Sequence, residues 1–147
     1  MTFETKKQDL FTVPQGYYLA HCISADFALG AGIAKQFVQI YNMREKLLTL
    51  YGIPLGEKYD VYSVGKVFVV DNVFNLVTKR RSFHKPTYDD LRSSLEDMKD
   101  YCSDNLITKL AMPLIGCGLD GLSWDIVSEM IKEVFEDTDI DILICTL

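Results

Sequence analysis

The chain has 147 residues, 48% of them apolar, and a formal net charge of −6. That length predicts one domain, residues 1–147, with room for a core of its own. Its apolar runs are strand-length, far short of the roughly 20 residues of a membrane span, and its acidity argues against a broad nucleic-acid surface. No basic segment with an apolar one behind it opens the chain, so a secretory signal is not expected. Cys22, Cys102, Cys117 and Cys145 form no C-x-x-C pair, and the histidines are His21 and His84 alone. A zinc site is therefore not expected. The thiols read as reduced, which suits the cytosol or the nucleus. Cys22 and Cys145 sit in strand-like runs and are expected in the core.

Tyr17 to Ile23 is an apolar run that predicts a buried strand. Gly30-Ala31-Gly32 opens a helical pattern carrying Ile33, Phe37, Ile40 or Tyr41, and Leu47 or Leu48, which Gly52 and Pro54 end. Val67–Val70 and Val73–Val77 are strand-like, and Asp71-Asn72 between them suits a hairpin. Thr87 is placed to cap the next helix, with Asp89 and Asp90 at the positive end of its dipole. Leu91, Leu95, Met98 and Cys102 form its core-facing stripe. Lys109 to Ile115 is predicted as a strand. Ser123 caps a final helix bearing Ile126 or Val127, Met130 or Ile131, and Val134. Asp141 to Leu147 is the last strand. Strands alternating with helices imply a mostly parallel sheet covered on both faces, and the hairpin adds an antiparallel portion.

Two stretches carry chemistry. In Met112-Pro113-Leu114-Ile115-Gly116-Cys117-Gly118-Leu119-Asp120-Gly121 a strand runs into glycines, a carboxylate and a helix start. The same logic recurs where Ala20-His21-Cys22-Ile23-Ser24 leads to Gly30-Ala31-Gly32-Ile33-Ala34. Glycine lets the backbone approach a ligand, and exposed N–H groups there bind anionic oxygens. Two such loops imply a phosphate-bearing ligand between them. Lys79-Arg80-Arg81 and His84-Lys85 supply local cations, unless that cluster is simply a solvated loop. Gly116 to Gly121 also fits the glycine spacing of a dinucleotide-binding fingerprint. That reading fails on geometry: Asp139 and Asp141 fall at the start of the following strand rather than its carboxyl end, and the helix begins after the last glycine.

The segments His21–Ser24, Gly30–Ala34, Thr78–Arg81, His84–Tyr88 and Met112–Asp120 together resemble a macrodomain. More narrowly, they resemble the terminal ADP-ribose protein glycohydrolase branch, over about Asp9 to Leu147. The resemblance implies a three-layer α/β/α sandwich with a mostly parallel, mixed sheet. It implies ADP-ribose as ligand, across the carboxyl ends of the central strands. Asp9, followed by Leu10, would accept from the adenine amino group. Gly30, Ala31, Gly32, Ile33 and Ala34, with Pro113, Ile115, Gly116, Cys117, Gly118 and Leu119, would hold the diphosphate and distal ribose through backbone amides. Ser24 would lie near the distal ribose. His21 falls in a matched segment and joins the ligand set, although its apolar strand alone reads as a satisfied core histidine.

In that branch the lysine matching Lys79 attacks C1 of the distal ribose, and the aspartate matching Asp120 supports acid–base steps and resolves the adduct. Without the resemblance, Lys79 reads as an ordinary exposed lysine, Asp120 as a turn residue and Cys117 as a small residue between glycines. The leading expectation is a hydrolase that removes ADP-ribose from acidic side chains of proteins. ADP-ribosylated nucleobases and O-acyl-ADP-ribose are also allowed; the alternative is a non-catalytic ADP-ribose reader. No cofactor and no metal are called for, no membrane is expected, and a monomer is the default. Two departures stand out. Gln8 replaces the glycine usual before the adenine-binding aspartate, and Val38 to Tyr62 looks longer than in vertebrate relatives.

Overall fold

The computed structural model describes residues 1–52 and 63–147. In chain order the elements are β1 (Thr2–Lys7), a short 3-10 turn (Leu10–Thr12), β2 (Tyr18–Ser24), α1 (Gly32–Tyr41), α2 (Met43–Tyr51), β3 (Val67–Val70), β4 (Val73–Lys79), α3 (Tyr88–Asp104), β5 (Lys109–Met112), α4 (Trp124–Phe135) and β6 (Asp141–Thr146). The six strands lie in the order β1-β6-β5-β2-β4-β3. Among the described residues only the β3–β4 pair is antiparallel.

Alternation of side chains across the pleat divides the interior. One face of the sheet carries Ala20, Phe74, Leu76, Leu110, Met112, Ile142 and Ile144 against Leu91, Leu95 and Met98 of α3 and Val127, Ile131 and Phe135 of α4. The other carries Leu19, Ile23, Val73, Val77, Ala111, Leu143 and Cys145 against Phe37 of α1 and Met43 and Leu47 of α2. The result is the expected three-layer α/β/α sandwich. No described helix is long and apolar enough to cross a membrane.

Several expectations need correction. The helical pattern after Gly32 is two helices, because Asn42 takes a left-handed φ of 56° and ends α1, its N–H on the Val38 carbonyl. Gly52 ends α2 as expected, while Pro54 and the rest of residues 53–62 lie outside the described residues, as does that portion of the longer Val38–Tyr62 stretch. β1 has no apolar pattern and was not expected; it is a largely exposed edge strand held by parallel pairing with β6. Ser123 stands at the start of α4 without a side-chain cap bond, and its N–H donates to the Tyr88 hydroxyl at 3.0 Å. Thr87 does cap α3, accepting from Asp90 N at 3.1 Å.

Candidate active site

The parallel strands all finish at one edge of the sheet, where the loops after β2, β4 and β5 meet the last residues of β6; open α/β sheets bind ligands at such an edge. The loops enclose a cleft of about 760 Å³ lined by Ser24, Gly30–Ala34, Lys79, Ser82, Lys85, Pro113–Asp120 and Cys145–Leu147. Folding thus brings together Ser24, Gly30, Ala31, Gly32, Ile33, Ala34, Lys79, Pro113, Ile115, Gly116, Cys117, Gly118, Leu119 and Asp120.

At the centre, Lys79 Nζ lies 2.7 Å from Asp120 Oδ1, with side chains only 15% and 18% exposed. β4 delivers Lys79 at its last residue. The turn after β5 delivers Asp120, and Lys85 fixes that turn by donating to the Leu119 carbonyl at 2.5 Å. In the sequence Lys85 stands out as a local cation within a matched segment; its contact with the turn depends on where two distant loops meet.

The two walls offer backbone N–H groups. Ala31 precedes α1 without a side-chain cap, so the first N–H groups of that helix are open toward the cleft, with the positive end of its dipole behind them. On the opposite wall the expectation is refined. Ile115 N and Cys117 N are consumed inside the turn by the Pro113 and Leu114 carbonyls, at 2.8 and 3.2 Å. Gly118 N and Leu119 N donate to no described residue and are the amides available on this wall. Gly116 adopts a φ of 71°, and a Cβ there would sit 3.0 Å from Leu122 Cδ1, so the turn requires glycine. A Cβ on Gly32 would come 3.6 Å from Leu119 Cδ1, so the exposed Leu119 side chain reaches across to the other wall.

His21 does not line the cleft. It is fully buried, its Nε2 is 2.5 Å from Asn75 Oδ1, and its ring stacks on Phe37 with centroids 3.9 Å apart. Burial, partly offset by the Asn75 bond, lowers its pKa to about 4. The pleat explains the correction: strand residues alternate between faces, and His21 points into the layer beneath α1. Leu10 is likewise a core residue, 3% exposed. Asp9 is off the cleft wall and accepts from Phe11 N at 2.9 Å. It stands beside one end of the cleft, where neighbouring Gln8 N donates to the Thr146 carbonyl at 2.8 Å.

Cys22, expected in the core, is half-buried on the cleft lining. Burial first, and then the Asp120 charge, push its thiol up to about 12. Burial also raises the Cys117 thiol. Neither is an activated nucleophile, since the thiolate is the reactive form.

Residues 21–131 match the Macro domain family. The human ADP-ribose glycohydrolase OARD1 is 47% identical over 141 residues, spanning 96% of this chain and 89% of that protein. The macrodomain of Thermus aquaticus DarG superposes with a TM-score of 0.82 at 19% identity, over 99% of both chains. A Thermosipho africanus DarTG structure in complex with ADP-ribose aligns with a TM-score of 0.75 at 18% identity, over 98% of this chain and 41% of that one. The family match over most of the chain, and the near full-length human relative, agree with the strand order and the cleft at the sheet edge: the chain belongs to the macro domain family.

Proposed function

We propose that this protein is an ADP-ribosyl glycohydrolase that releases ADP-ribose from acidic side chains of proteins, with Lys79 as nucleophile and Asp120 as acid/base. The observation that carries the reading is the 2.7 Å Lys79–Asp120 contact inside a cleft flanked by two sets of open amides. A binding module needs the amides but not a lysine held against a carboxylate beside them. The activity in the name of the human relative supports the reaction class.

In this reading the diphosphate lies between the start of α1 and the amides of Gly118 and Leu119. Asp9 takes the adenine amino group at the cleft end. The distal ribose then reaches Lys79. A lysine must be neutral to attack, and an ordinary one, with a pKa near 10.4, is neutral in roughly one molecule in a few thousand at pH 7. Asp120 is in contact with the amine and can take its proton, which is general-base work at hydrogen-bond range. The amine attacks C1, the C1–O bond breaks, and the modified carboxylate leaves with the electron pair and takes up the proton that Asp120 holds. Asp120, a carboxylate again, then accepts a proton from the water that attacks C1 and breaks the C1–N bond, and returns it to Lys79 as ADP-ribose is freed.

The test is incubation with a glutamate-ADP-ribosylated protein, reading free ADP-ribose. Release is expected from the parent. Lys79→Ala is expected to abolish it while ADP-ribose affinity stays within about tenfold, since the amides remain. Turnover by that variant near the parent rate would overturn the lysine mechanism. Binding without release by the parent would identify a reader.

A further inference from the structure

The loop between β2 and α1 is held in an unusual backbone. Phe27 and Leu29, neither of them glycine, have φ values of 54° and 44°, and both are buried. Left-handed positions cost free energy unless the surroundings enforce them. Two side chains provide that enforcement. Arg44 Nε donates to the Phe27 carbonyl at 2.8 Å. The Asp26 carboxylate accepts three bonds: from Ser24 Oγ at 2.5 Å, from Ala28 N at 3.1 Å and from Ser82 N at 3.0 Å. Burial pushes the Asp26 carboxyl up, but these three donors and the Arg81 charge outweigh it and hold it below its ordinary value. It is therefore the charged acceptor of this loop at neutral pH.

The Asp26 bonds span two walls. Ala28 leads into the Gly30–Ala34 amides, and Ser82 follows Lys79 on the cleft lining. Ser24 sits directly across the sheet from Lys79, at the register shift that ends the β2–β4 pairing. A serine has one proton to give, and here it goes to Asp26. Ser24 lines the cleft although it is only 4% exposed, and to any further partner its Oγ offers only lone pairs.

We propose that Asp26 is a positioning residue that turns Ser24 into an obligate hydrogen-bond acceptor for a hydroxyl of the sugar beside Lys79. This rests on the reading of the cleft as an ADP-ribose site. It adds a selection rule: next to the nucleophile the site favours a sugar hydroxyl, a donor, and disfavours a bare anionic oxygen, which could only accept. The diphosphate is thereby kept to the amides and the sugar to Ser24.

The experiment compares two probes by calorimetry on the full chain: ADP-ribose, and ADP, which lacks the distal sugar. Ser24→Ala and Asp26→Asn are each expected to weaken ADP-ribose by about fivefold to tenfold, the worth of one hydrogen bond, with ADP unchanged within about twofold. In the double variant the losses should not multiply, because both changes act on the same contact between Ser24 and the sugar. Equal weakening of both probes by Asp26→Asn would mean a merely structural role and overturn the proposal, since a collapsing loop would also take away the diphosphate amides. So would unchanged ADP-ribose affinity in Ser24→Ala, which decides the matter if Asp26→Asn does not fold. A parent protein that binds neither probe would instead overturn the ADP-ribose reading. A parent that binds and hydrolyses, with the probe ratio unmoved in every variant, would overturn the Ser24–Asp26 proposal and leave the ADP-ribose reading standing.

Discussion

Asp120→Asn is the sharpest single perturbation of the cleft. Asparagine keeps the shape and can still accept from Lys79, but it cannot hold a proton. Loss of a general acid–base group costs about 100- to 10,000-fold in rate, and the loss should fall on kcat, because Asp120 contributes no amide to the diphosphate. The structure also bounds the folding cost. The pair is 2.7 Å apart with side chains 15% and 18% exposed, between an open surface pair, worth about 0–1 kcal/mol, and a buried one, whose disruption costs about 3–5 kcal/mol. A destabilisation of about 2 kcal/mol follows, a fall in Tm of roughly 5 °C for a domain of this size. Single-turnover and steady-state assays with a glutamate-linked substrate, alongside calorimetry with ADP-ribose and a thermal melt, separate these effects. A kcat within about tenfold of the parent, or a loss confined to KM, would refute the assignment of Asp120 as the proton carrier.

Further outcomes follow from the same geometry. His21 is neutral when folded, with a pKa of about 4 against 6.5 unfolded; its stabilising contribution is fully present above pH 6.5. As pH falls from 6.5 to 4 the unfolded state takes up the proton first, and about 3 kcal/mol is lost. Urea titrations across that range should show the loss in the parent and a flatter profile in His21→Gln. All four cysteines are free, and burial raises the pKa of each. The native protein should therefore react slowly with a chromogenic disulfide at pH 8 and release four equivalents after unfolding; rapid reaction at Cys117 would contradict the geometry of its turn. Gly116→Ala places a Cβ at a φ of 71° and 3.0 Å from Leu122 Cδ1. It should cost about 1–3 kcal/mol and weaken ADP-ribose binding by displacing the Gly118 and Leu119 amides, measurable by urea unfolding and calorimetry.

The sequence by itself determined the class of fold and the pieces of the cleft. The period of Leu91, Leu95, Met98 and Cys102 forces one face of a helix onto a core. The runs entering Ser24 and Met112 are apolar enough to be buried strands, and the glycines beyond them lead directly into amide-lined loops. Lys79 and Asp120 could be named through resemblance, because each lies in a short, specific motif. Tertiary structure decided the rest. β1 carries no apolar signal and exists because β6 offers it a free edge. Asn42 breaks one apparent helix into two, since a left-handed residue leaves the apolar spacing intact. His21 and Ser24 share a strand and a motif, yet the pleat and the register shift at its end send one into the core and the other to the cleft. Which turn amides stay open, and that Asp26 and Lys85 tie loops together, depend on contacts between residues far apart in the chain. Local pattern cannot encode such contacts, because they are set by where the strands stop and how the layers stack.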